Sequence, residues 1–136
     1  MKKNKLDIAC ITSTRAEYGQ LKLLLKAIIA SEELNLNLIV TGTHFSKRHG
    51  YTFKEIEQDK LKIDYELDME IGLDSNKATC KSLSKLTEKL SIIFEKIKPD
   101  LVLILGDRFE LLGVASAATI FRIPIAHLHG GELTEG

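Results

Sequence analysis

Two strand-like stretches end in residues that can move protons or hold anions. Leu101–Leu105 is an apolar run that stops at Gly106 and presents Asp107 and Arg108. Ile123–Leu128 stops in the same way and presents His129, Gly130, Gly131 and Glu132. Ligands of open α/β sheets bind beyond the carboxyl ends of the strands, so these two ends read as one side of an active site. An imidazole titrates near neutral pH, and a half-buried carboxyl can be tuned upward to meet it. Asp107, His129 and Glu132 are therefore the candidate catalytic groups. His127 reads as a core histidine, placed by strand alternation on the same side as His129.

A third end, after Leu6–Thr12, delivers Thr14-Arg15-Ala16-Glu17, matched by Asp107-Arg108-Phe109-Glu110 after Leu105. Each places a capping residue three positions before a Glu, the pattern of a capping box. Each also puts an arginine at a predicted helix N-terminus, where backbone N–H groups and the dipole favour anions. Guanidinium groups grip phosphate oxygens in pairs, so Thr14, Arg15 and Arg108 are candidates for binding a phosphate or diphosphate. Thr43 and His44, at the end of the run Leu36–Thr41, are polar enough to touch a nucleotide or sugar, and a plain turn fits them equally well. Neither G-x-G-x-x-G nor G-x-x-x-x-G-K-[ST] occurs, which argues against a dinucleotide enzyme or a P-loop NTPase. The H-x-H pair has no cysteine cluster beside it, and no metal site is expected.

The elements that must carry these ends alternate strand and helix. Strands are expected over Leu6–Thr12, Leu36–Thr41, Leu61–Leu67, Leu101–Leu105 and Ile123–Leu128. Helices are expected behind Thr14, over Arg48–Asp59, over Asn76–Ile97 up to Pro99, and over Phe109–Phe121. The last is apolar on nearly every side and should be deeply buried. Strands joined by helical crossovers make a doubly wound parallel sheet of the α/β class. The expected order, 3-2-1-4-5, puts the switch point between the first and fourth strands.

Composition narrows the function. The 136 residues are 44% hydrophobic and 28% charged, with Lys+Arg and Asp+Glu at 19 each. That is an ordinary globular composition with no basic face for nucleic acid. No apolar run reaches the ~18 residues of a membrane span, and the basic start lacks a signal-peptide cleavage site. A cytoplasmic protein is expected, with Cys10 and Cys80 as buried, reduced thiols. The chain stops at Glu135-Gly136, straight after its most polar strand end, which suggests a piece of a longer protein.

The segments I-T-S-T-R-A-E-Y-G (Ile11–Gly19), V-T-G-T-H (Val40–His44), L-G-D-R-F-E (Leu105–Glu110) and I-P-I-A-H-L-H-G-G-E (Ile123–Glu132) occur in order. Together they resemble the N-terminal part of the hydrolysing UDP-N-acetylglucosamine 2-epimerases of sialic-acid biosynthesis, over essentially the whole chain. The resemblance implies a GT-B fold of two Rossmann-like halves. Residues 1–136 would form an incomplete N-terminal domain, with the C-terminal nucleotide-binding domain lying outside them. It implies cleavage of UDP-N-acetylglucosamine to UDP and N-acetylmannosamine, by anti-elimination and then hydration, with no cofactor. It also implies a homo-oligomer in the whole enzyme and little or no turnover by this part alone.

Within the resemblance, Arg15 matches an arginine that contacts the phosphates and Asp107 a catalytic carboxylate, with Arg108 in the same G-D-R turn. His129 stands where non-hydrolysing relatives carry Glu in H-V-E-A-G, which leaves the acid/base assignment open. Glu132 belongs to the H-G-G-E form of the sialic-acid relatives. Two other readings remain: a GT-B glycosyltransferase half, and a non-catalytic anion-binding module.

Overall fold

A computed structural model describes residues 5–45, 52–72 and 74–131. Five parallel strands form one sheet: β1 (Leu6–Thr12), β2 (Leu34–Thr41), β3 (Tyr65–Leu67), β4 (Leu101–Leu105) and β5 (Ile125–Leu128). Their order is β3-β2-β1-β4-β5, so the direction of winding reverses between β1 and β4 as expected. The chain is a Rossmann-like, doubly wound α/β structure. Among the described residues, no helix is long and apolar enough to cross a membrane.

Strand alternation divides the core into two layers. Ala9, Ile11, Ile39, Val102 and Ile104 face Leu86, Leu90 and Phe94 of α3 (Asn76–Ile97) and Val114 and Ala117 of α4 (Glu110–Ile120). Ile8, Cys10, Leu38, Val40, Leu103 and Leu105 face Tyr18, Leu21, Leu25 and Ile28 of α1 (Arg15–Ala30) and Ile56 of α2 (Phe53–Gln58). Helix α3 has the expected bounds. Its last turn is closed by Lys98 in the left-handed region (φ 44°), whose N–H donates to Phe94 O just before Pro99.

Several elements depart from expectation for local reasons. β3 is three residues long, not Leu61–Leu67. Leu61 is consumed in closing α2, its N–H donating to Ile56 O. The Asp64 carboxylate accepts the Leu38 N–H (2.8 Å) ahead of the first ladder pair, Ile39 with Tyr65. β5 starts at Ile125 because Pro124 has no N–H to give, although its carbonyl accepts from Val102. α2 begins only at Phe53, and the Arg48–Tyr51 part of the expected helix lies outside the described residues. Helix α4 is not enclosed all round: Leu112 and Ile120 are 63% and 75% exposed on its outer face. Cys10 is buried as expected, but Cys80 lies on the solvent side of α3.

Candidate active site

Because Ile8, Ala9 and Cys10 pair with Leu101, Val102 and Leu103, the residues after β1 and those after β4 emerge side by side. The β1 end is tightly built. Thr14 caps α1: its Oγ1 accepts the Glu17 N–H (3.2 Å), while Glu17 Oε2 accepts from the Ser13 N–H, the Ser13 hydroxyl and the Thr14 N–H. This is the expected capping box, and it leaves Arg15 in the first turn of the helix. The Arg15 side chain is 72% exposed and pairs with Glu55 of α2 at 3.0 Å.

The Glu17 carboxyl is buried, and its second oxygen, Oε1, is shut away with no hydrogen-bond partner among the described residues. Burial pushes its pKa up, and the neighbouring Glu110 adds to the rise, against the hydrogen bonds from Ser13 and Thr14. Cys10, beneath it in the core, is pushed up to about 12, mainly by burial and further by Glu17.

The β4 end does not form the second capping box. Residue 109 takes the N-cap position of α4 with no side-chain cap, so Asp107 caps nothing and Arg108 precedes the helix. The reason is Glu110. Its side chain, 0% exposed, turns away from the backbone at the helix start and takes the Arg108 guanidinium, with Nε at 3.2 and 3.3 Å and Nη2 at 3.0 Å. The pair raises the Arg108 pKa further, despite partial burial. Arg108 is therefore held on one edge by its own chain. Asp107 points into solvent beside it.

The end of β2 turns inward. Gly42 adopts φ +66°, and a Cβ there would lie 2.6 Å from Ser13 O, so only glycine lets this turn approach β1 so closely. Thr43 donates both its N–H (2.9 Å) and its hydroxyl (3.1 Å) to Ser13 O. His44 is fully enclosed between the hydroxyls of Thr12 (3.1 Å to Nε2) and Thr52 (to Nδ1), and burial lowers its pKa to about 4. Both residues lock the β2 turn onto neighbouring loops, and His44 has no face open to a ligand.

After β5 the alternation fails. His129 has φ 52°, in the left-handed region, so it does not continue the strand face of His127; it is exposed. His127 is not a core residue. It is exposed, its Nε2–H donates to Gly106 O (2.6 Å), and a Cβ on Gly130 would meet its ring at 2.5 Å. Glu132 lies outside the described residues. Among the described residues, no group of three or more His, Cys, Asp or Glu side chains is placed to hold a metal.

The site thus brings together Thr14, Arg15, Asp107 and Arg108 at the switch point, with His129 beyond the neighbouring strand and His44 withdrawn beneath. Three residues given other roles from the sequence support these ends: Glu17 and Glu110, read as caps and buried beneath them, and His127, read as core and exposed beside Gly106. Glu110 offered no separate signal, since a capping box and a buried ion pair share the same letters.

The sequence profile of UDP-N-acetylglucosamine 2-epimerases matches residues 26–136. The chain belongs to that family. It is 42% identical over 98% of its length to the GDP/UDP-N,N'-diacetylbacillosamine 2-epimerase (hydrolyzing) of Campylobacter jejuni, and 37% identical over 93% to the UDP-N-acetylglucosamine 2-epimerase of Neisseria meningitidis. It covers 34% and 33% of those proteins, so it spans about a third of the length of the curated relatives it matches. Among solved structures, it superposes on a UDP-GlcNAc 2-epimerase from Neisseria meningitidis bound to UDP-GlcNAc with a TM-score of 0.78. That match covers 95% of this chain and 33% of the other at 20% identity, a likeness of fold.

Proposed function

We propose that this chain supplies one wall of the active site of a hydrolysing nucleotide-sugar 2-epimerase, which converts UDP-N-acetylglucosamine to UDP and N-acetylmannosamine. In the complete protein a second Rossmann-like domain would close over the switch point in GT-B fashion and contribute the uridine contacts. The observation that carries the reading is the solvent-facing Asp107 at the end of β4, beside the β1 end that bears Arg15, in a member of this family.

The chemistry asked of these residues is modest in kind. A base takes the proton from C2 of the sugar, the C1–O bond breaks, and its electron pair leaves on the diphosphate of UDP. The resulting 2-acetamidoglucal then gains hydroxyl at C1 and a proton at C2 from the opposite face, which inverts that centre. Removing a weakly acidic C–H needs a positioned base, and departing diphosphate needs cationic stabilisation. Asp107 and His129 are the proton-transfer candidates within the described residues, with Glu132 as a third. Arg15, at the head of α1, meets the phosphates, and Thr14 N-caps the same helix end. The role first given to Arg108 at the phosphates is weakened by its engagement with Glu110. We place the whole enzyme in the cytoplasm as a homo-oligomer needing no cofactor.

A second substrate is favoured by the higher identity to the Campylobacter jejuni protein: UDP- or GDP-linked N,N'-diacetylbacillosamine. One experiment separates the readings. The longest reading frame that carries this chain is incubated in deuterated water with each nucleotide sugar, and products are followed by NMR. Free nucleotide with a C2-deuterated, inverted amino sugar supports the epimerase and names its substrate. A requirement for an acceptor sugar would point instead to a glycosyltransferase, and absence of any turnover by folded protein to an anion-binding module.

A further inference from the structure

We propose that Asp107 is carried by a two-point clamp whose working parts, His127 and Glu110, are positioning residues for the reaction; this rests on the reading of Asp107 as a catalytic group. The turn Gly106-Asp107-Arg108 has its two ends tied to different elements. On the β5 side, the Gly106 N–H donates to Leu128 O (2.9 Å) and Gly106 O accepts the His127 Nε2–H. On the α4 side, Arg108 is gripped by the buried Glu110 carboxylate, and Arg108 O accepts the Leu111 N–H (3.0 Å). Asp107 lies between the two ties, exposed, with Gly106 in the left-handed region (φ +95°) turning the chain outward at the strand end.

Neither tie is filler. Gly130 leaves room for the His127 ring where any Cβ would collide with it. Glu110 is fully withdrawn from water, and Arg108 is its partner in the only ion pair the carboxylate makes among the described residues. A carboxylate placed so deep would be costly without that partner. The guanidinium is thereby committed to holding the turn, and the substrate diphosphate is left to Arg15.

The test uses the longest reading frame that carries this chain, with the variants Glu110→Gln, His127→Phe, Arg108→Gln and Arg108→Gln/Glu110→Gln. Glu110→Gln and His127→Phe should each lower kcat by about 10- to 100-fold, the effect of misplacing a reacting group, with KM within about twofold of the parent. If Glu110 acts through Arg108, the double variant should be no slower than Arg108→Gln alone. Loss confined to KM would overturn the proposal by putting Arg108 on the phosphates. Unchanged kcat with a lowered melting temperature would reduce both residues to structural ones.

Hydrogen exchange gives a readout that does not need turnover. Protection of the Leu111 amide should fall about tenfold in Glu110→Gln, the loss of a part-buried, charge-assisted contact, and that of the Gly106 amide about three- to tenfold in His127→Phe, the loss of one exposed, neutral hydrogen bond. The amides of β1 and β2 should be unchanged. Unaltered protection at both turn amides would overturn the clamp even if the enzyme proved to have another substrate. If the parent turns over neither nucleotide sugar while the turn amides still respond, the substrate reading fails and the clamp stands.

Discussion

Enclosing His44 removes water from its ring, and the cost falls on the charged imidazolium. Its pKa drops from the ordinary 6.5 to about 4, so between those values the unfolded chain binds a proton that the folded chain refuses. The His44 contribution is complete above pH 6.5, declines as the pH falls toward 4 and then levels, a total of about 3 kcal/mol. Glu17 works in the opposite sense. Its raised pKa favours the folded state below the usual carboxylate range, and that support is lost as pH rises through the elevated value. Urea midpoints measured from pH 4 to 7 should therefore slope less steeply in His44→Gln than in the parent, and parallel slopes would refute the assignment. Asp107 belongs to a different class of residue. It is exposed and caps no helix, so Asp107→Asn should leave the melting temperature unchanged while cutting turnover of the complete reading frame by about 100-fold or more. Unchanged turnover in a folded variant would remove Asp107 from the catalytic set.

The helix starts separate two look-alike sequences by what their side chains do. At α1, Thr14 and Glu17 satisfy each other's backbone N–H groups, so Thr14→Ala should cost about 1 kcal/mol, as loss of a helix cap does. Chemical denaturation would measure it, and a cost near zero would mean that Ser13 or water replaces the cap. At α4 the same spacing yields no cap, because burial of Glu110 makes Arg108 a better partner than the backbone. Spacing along the chain made strand order, switch point and the bounds of α3 legible. The bounds of α3 follow from apolar periodicity and Pro99, and the order and switch point from the way helical crossovers wind a parallel sheet. Spacing could not reveal the Glu110–Arg108 pair, the withdrawal of His44 beneath Thr12 and Thr52, or the left-handed turn at His129. These depend on which neighbours the sheet order supplies. The exposed face of α4 was hidden for a related reason: an apolar letter at Leu112 or Ile120 specifies no partner.

At the scale of the molecule, charge bookkeeping at the switch point limits what the chain can bind alone. Glu17, Asp107 and Glu110 stand around Arg108, while Arg15 is the cation on the β1 side, paired with Glu55. An incoming diphosphate must compete for one of these arginines. The Arg15–Glu55 pair lies largely in solvent, and such pairs contribute at most about 1 kcal/mol, so an anion can displace Glu55. The Arg108–Glu110 pair is different, since releasing it would strand a carboxylate that is 0% exposed. One loosely held arginine and a helix N-terminus form a weak anion site, and the curated relatives are about three times as long as this chain. We therefore expect UDP to bind the 136-residue chain with Kd no tighter than about 1 mM. The NMR shifts should centre on Arg15 and its helix start, fade with added salt and disappear in Arg15→Gln. Micromolar binding, or shifts centred on Arg108 and unaffected by Arg15→Gln, would mean that this half-site is already complete and that the phosphate contacts lie on the β4 side.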